Sequence, residues 1–105
     1  MAECVKASAA DEIDEEDVIR IDHGDWTFAV YRSPKGEYYA TYGLCTYEKI
    51  HLADGLVIDN VIECPKHNGR FDYTDGSALG APVCENLQTY IVKVESGQVF
   101  INIWS

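Results

Sequence analysis

Long apolar runs are missing from this chain: its uninterrupted hydrophobic stretches are a handful of residues, far short of the ~18 that a membrane-spanning helix needs. No transmembrane helix is expected. Basic residues are scarce too, with eight Lys and Arg against eighteen Asp and Glu and a net charge of −10. That balance opposes the phosphate neutralisation on which nucleic-acid binding depends, so DNA and RNA are not expected partners. Internal repeats, helical heptads and low-complexity tracts are absent, as are a dinucleotide-binding glycine loop and a nucleophile paired with a base. Substrate chemistry is therefore not expected of the chain itself. The opening segment MAECVKASAADEIDEED has neither a basic start nor an apolar stretch, and a reducing, cytoplasmic setting is the expectation.

What the sequence does contain is the material of one small β-domain. At 105 residues, 47% hydrophobic and 11% aromatic, the chain suits a single core and not two. Turn signals recur at His23-Gly24-Asp25, Ser33-Pro34-Lys35-Gly36, Asp59-Asn60, Asp75-Gly76 and Ser96-Gly97. Between them lie β-branched and aromatic runs of strand length: Val18–Asp22, Trp26–Arg32, Glu37–Tyr42, Leu56–Ile58, Val61–Glu63, Thr89–Glu95 and Gln98–Trp104. The pattern predicts an all-β fold of short antiparallel strands. Alternation predicts that Trp26, Phe28 and Val30 face a core, and that Tyr90, Val92 and Val94 share a buried face with Val99, Ile101 and Ile103 across a hairpin. Residues 43 to 82 are richer in glycine and turn residues and read as a loop-rich insertion in that scaffold. Six acids between Asp11 and Asp17 read as a solvated loop with at most one helical turn, or as a docking patch for a basic partner.

Four cysteines stand at irregular spacing, Cys4, Cys45, Cys64 and Cys84. In a reducing compartment they read as thiols or metal ligands and not as disulfides. Cys64-Pro65-Lys66-His67 sets a thiolate and an imidazole three positions apart, and Cys45 lies on an earlier loop. Sulfur and nitrogen together suit iron–sulfur clusters or zinc.

These loops resemble the Rieske family, whose pattern is C-x-H, fifteen to seventeen residues, then C-x-x-H. Here Cys45-Thr46-Tyr47 is followed by sixteen residues and then by Cys64-Pro65-Lys66-His67. Leu52-Ala53-Asp54-Gly55 after the first loop, Gly69-Arg70-Phe71-Asp72 after the second and Gly80-Ala81-Pro82 as a third loop extend the likeness, which covers Asp17 to Ile103. The chain looks similar to the small Rieske-type ferredoxins that serve ring-hydroxylating oxygenases. The resemblance implies a β-sandwich or barrel with a cluster-binding subdomain at about residues 43–82, and one [2Fe-2S] cluster. Cys45 and Cys64 would hold the inner iron and His67 the outer one. It also implies two partners, a flavin-dependent reductase and a terminal oxygenase. High-potential members of the family carry serine and tyrosine hydroxyls where this chain has Gly69 and Phe71, which implies the lower part of the Rieske potential range.

One position departs from the pattern. Tyr47 stands where the second histidine belongs, and its phenol oxygen reaches further from the backbone than an imidazole Nδ1. The fourth ligand is open among His51, Tyr47 and Cys84. A cluster-free interaction subunit and a mononuclear zinc site of Cys45, Cys64, His67 and His51 are the other readings of the same residues. Partner docking is expected at the tip carrying Lys49, Leu52, Lys66, His67 and Pro82.

Overall fold

The computed structural model describes residues 4–46, 49–65, 69–80 and 85–103. Ten strands run through them: β1 (Cys4–Ala9), β2 (Asp17–His23), β3 (Trp26–Arg32), β4 (Tyr38–Tyr42), β5 (Leu56–Ile58), β6 (Val61–Glu63), β7 (Arg70–Asp72), β8 (Ser77–Ala78), β9 (Thr89–Glu95) and β10 (Gln98–Asn102). A base sheet has the order β1-β10-β9-β4-β3-β2, and a smaller sheet the order β5-β6-β7-β8. All of these pairings are antiparallel. The β9–β10 hairpin turns on Ser96 and Gly97, both at positive φ, the backbone that matches the twist of flanking strands in a two-residue loop.

β3 explains how the two sheets become one molecule. Its buried run, Phe28 to Tyr31, is buried on both faces. Phe28 and Val30 enter a core with Ile13, Ala40, Tyr90, Val99 and Ile101. Ala29 and Tyr31 point to the opposite side, where they meet Val57, Ile62, Phe71, Tyr73, Cys45 and Cys64. Period-two alternation on a strand between two layers fills both cores. The small sheet departs from the base after β4 and returns at β9, and these two strands pair only through Ala40–Tyr90 and Thr41–Thr89. The loop-rich insertion is therefore carried between two adjacent strands.

Seven strands agree with the sequence reading to within a residue or two. β1, β7 and β8 are additional. Two side chains depart from the alternation: Trp26 is 40% exposed and Val94 48% exposed. Trp26 lies at the entry of β3, its ring stacked against Phe28 and edge-on to Tyr90. Val94 lies next to the hairpin turn, opposite the buried Val99. The acidic run is not merely solvated. Glu12 Oε1 accepts from the Ala9 N–H at the start of a 3-10 turn (Ala10–Glu12), and Glu16 Oε2 accepts from the Asp59 N–H, 2.8 Å away in the β5–β6 turn.

Candidate metal centre

The two cysteine loops are built alike. The Cys45 N–H donates to the Ile50 carbonyl (3.0 Å), and the Cys64 N–H donates to the Gly69 carbonyl (2.7 Å). Each cysteine thus opens a short loop that closes five residues later. Below the first loop Leu44 pairs with His51 in an isolated bridge. Below the second, Glu63 pairs with Arg70 in the β6–β7 ladder, and an ion pair between their side chains adds a contact of 2.8 Å. Thr46 Oγ1 donates to the Glu85 carbonyl and ties the first loop to the chain returning toward β9.

Cys45 and Cys64 are both thiols, 2% and 1% exposed, and both belong to the core beneath the small sheet. A recess of about 200 Å³ opens beside Cys45, lined by Tyr42, Leu44, Thr46 and Lys49. Tyr47, Lys66, His67, Pro82 and Cys84 lie outside the described residues, and among the described residues no group of three or more His, Cys, Asp or Glu side chains gathers as a metal set.

His51 lies at the base of the first loop. It is 5% exposed, and both of its ring nitrogens are engaged. Nε2 lies 2.9 Å from Thr27 Oγ1, and Nδ1 accepts from the Ala53 N–H at 3.0 Å. Thr27 spends its one hydroxyl proton on Asp22 Oδ1, 2.6 Å away, so it accepts from His51. The tautomer follows: His51 is neutral with its proton on Nε2. Burial holds the His51 pKa down, in keeping with that state. The Thr27 hydrogen bond, helped by Arg20, lowers the pKa of Asp22. Gly43 completes the fit, since a Cβ there would stand 2.5 Å from His51 Nε2.

Of the tip residues, Lys49 is exposed, but Leu52 is not. It is fully buried in the core that holds both cysteines, so the expectation that it contributes to a docking surface is corrected. His51 and Leu52 begin a 3-10 turn (Leu52–Asp54), and the leucine is buried within it. Sequence reading missed Thr27, Asp22 and Gly43, which hold His51; no local signal links residues so far apart in the chain.

Residues 3–91 match the Rieske [2Fe-2S] domain. The ferredoxin component of the naphthalene 1,2-dioxygenase system of Pseudomonas aeruginosa is 42% identical over 99 residues, 94% of each chain. Among solved structures, the ferredoxin of Sphingomonas yanoikuyae B1 superposes with a TM-score of 0.89 at 30% identity, over 95% of this chain and 98% of that one. A chain from the complex of reduced oxygenase and oxidised ferredoxin in carbazole 1,9a-dioxygenase gives 0.88 at 32% identity, over 92% and 99%. Family match, full-length relatives and the paired cysteine loops agree, and the chain belongs to the Rieske [2Fe-2S] domain family.

Proposed function

We propose that the chain is the electron-carrying ferredoxin of a multicomponent aromatic-ring dioxygenase system, an electron carrier and not itself the catalytic unit. The observation that carries this reading is end-to-end similarity to a naphthalene dioxygenase ferredoxin, combined with two matched loops that each begin at a buried thiol. The donor chemistry fits the family's cluster at the cysteine half: Cys45 and Cys64 offer two thiols at the starts of like-built loops, and thiolates are the ligands iron–sulfur clusters take. His67 supplies an imidazole at the family position. When bound, the cluster takes up and releases one electron.

The other half has Tyr47 in place of histidine. Both nitrogens of His51 are already bonded to protein groups, which leaves Tyr47 and Cys84 as the candidates for the fourth place, with Tyr47 favoured by its position in the loop. A phenol ionises near pH 10 in water, so ligation requires the metal to stabilise the phenolate. Replacing Tyr47 by histidine then moves the visible and paramagnetic resonance spectra toward those of an ordinary Rieske centre. The partners of this reading are a flavin-dependent reductase and a terminal oxygenase in the cytoplasm, meeting the tip around Lys49, Lys66, His67 and Pro82. Small, transient interfaces suit such turnover.

Tyr47 also favours a second reading, a cluster-free Rieske-like subunit of an oxidoreductase. The two are separated by coupled turnover. The assay combines a purified reductase, its reductant and an oxygenase of the naphthalene type, with this chain as the only ferredoxin added. Product formation that rises with this chain supports the carrier reading; none, from a protein loaded with iron and sulfide, overturns it.

A further inference from the structure

The chain Arg20–Asp22–Thr27–His51–Ala53 runs from the exposed edge of β2, across β3, to the base of the first cysteine loop. Each hydrogen bond in it has a defined direction. Arg20 Nε donates to Asp22, Thr27 donates to Asp22, His51 Nε2 donates to Thr27, and Ala53 N–H donates to His51 Nδ1. His51 therefore joins two parts of the molecule that are 24 positions apart in sequence. Around it the main chain is closed twice, by Leu52 N–H on the Gly43 carbonyl (2.8 Å) and by Cys45 N–H on the Ile50 carbonyl (3.0 Å). The imidazole lies over Gly43 at a separation that admits no side chain.

We propose that His51 is a positioning residue for Cys45: its Nε2 ties the base of the first loop to Thr27 on β3, and through Thr27 to Asp22 on β2, while its Nδ1 holds the ring in place by accepting from the Ala53 N–H. This rests on the reading of Cys45 as a cluster ligand, but the clamp is a property of the protein and is measurable without reference to electron transfer. The second loop is closed at its base by the β6–β7 ladder and the Glu63–Arg70 pair. Below the first loop the Leu44–His51 bridge stands in place of a strand ladder, and the Gly43 N–H donates to the Thr27 carbonyl of β3 at 2.9 Å. The His51 side chain adds a buried cross-link to Thr27 where the second loop has an ion pair. The neutral ring suits both contacts, because it accepts from the Ala53 N–H at Nδ1 and donates at Nε2 to Thr27, whose own proton is committed to Asp22.

The test is amide hydrogen exchange, read peptide by peptide by mass spectrometry on the full-length protein as purified, for His51→Ala, His51→Asn and Thr27→Val. His51→Ala leaves the Ala53 N–H and the Thr27 hydroxyl without partners, and exchange across 43–53 is expected to quicken by roughly tenfold. Exchange across 61–72 should stay unchanged. Asparagine at this position can still accept from Ala53 N–H, as at other helix starts, so His51→Asn should recover much of the protection. Thr27→Val should reproduce part of the His51→Ala effect. Unchanged exchange at 43–53 in His51→Ala, or an equal rise in both loops, would overturn the clamp. The second readout is the resonance spectrum of the reduced, iron-loaded protein. His51→Asn should retain the parent spectrum and iron content, whereas loss of iron in His51→Asn to the same degree as in His51→Ala would make His51 a ligand and the proposal wrong.

Discussion

Tyr31 and Tyr73 lie face to face, ring centroids 4.4 Å apart and planes 3° from parallel. One ring comes from β3 of the base sheet and the other from the turn after β7, so the stack is one of the contacts by which the small sheet sits on the base. Each hydroxyl is satisfied: Tyr31 shares a hydrogen bond with Thr41 Oγ1, and Tyr73 donates to the Asp59 carbonyl, both at 2.8 Å. Removing the ring by Tyr73→Ala should cost about 3–5 kcal/mol, as for large aromatic truncations in other cores. Tyr73→Phe keeps the stack, loses one hydrogen bond, and should cost about 1 kcal/mol. Denaturant unfolding of the two variants checks both figures, and equal losses would show that the hydroxyl and not the stack is the main contact.

The same rings are expected to weaken the fold at alkaline pH. Burial pushes the Tyr73 phenol up to about 12, and burial raises Tyr31 further still. In the unfolded chain both ionise near pH 10. The folded state holds these protons more tightly, so their contribution is fully present below pH 10 and is lost as pH rises from 10 through 12. Unfolding midpoints measured across that window should fall with pH, and Tyr73→Phe should flatten the fall. A slope unchanged in Tyr73→Phe would assign the loss to other groups.

Gly55 is needed for close approach. A Cβ there would run into the Glu63 carbonyl oxygen, a backbone atom that cannot swing aside. Gly55 also ends the 3-10 turn by donating to the Leu52 carbonyl at 2.9 Å. Gly55→Ala is expected to force β5 from β6 and to cost about 1–3 kcal/mol. Thermal unfolding measures it. An alanine variant as stable as the parent would show that the hairpin yields freely.

Under the proposed carrier role, Phe71 is expected to bear on potential. It is fully buried in the core shared with Cys45 and Cys64, at the position where high-potential relatives in the resemblance carry a tyrosine. A hydroxyl bonded preferentially to the reduced centre at ~1 kcal/mol corresponds to a rise of about 40 mV for a one-electron couple. Phe71→Tyr should move the midpoint potential upward by that order in a redox titration. A downward shift would place the new hydroxyl away from the centre.

How much of this was legible in the sequence depended on whether the cause was local. Strands such as Trp26–Arg32 and Thr89–Glu95 announced themselves by β-branched and aromatic runs between turn residues, and the structure has them with those bounds. β1 did not, because Cys4–Ala9 is an edge strand with a small, weakly apolar sequence, and its pairing with β10 is a long-range event. The two-sided burial of β3 was half legible: alternation identified Phe28 and Val30, but the core on the far side exists only because the insertion folds back onto Ala29 and Tyr31. At the site, the cysteine spacing was written in the chain. The role of His51 was not, because Thr27 and Asp22 come to it through the register of β2 with β3, which no short window contains.

The central claim is that a chain with Tyr47 in a histidine's place still carries the family's cluster and passes electrons. Iron and acid-labile sulfide analysis of the protein purified without oxygen, with the resonance spectrum of its reduced form, tests that claim most directly. Two iron and two sulfide per chain, as the [2Fe-2S] family assignment requires, with a spectrum that moves toward ordinary Rieske behaviour in Tyr47→His, are the expected result. Protein holding zinc or no metal, and a Tyr47→His variant that stays empty where an ordinary Rieske ferredoxin reconstitutes, would contradict it.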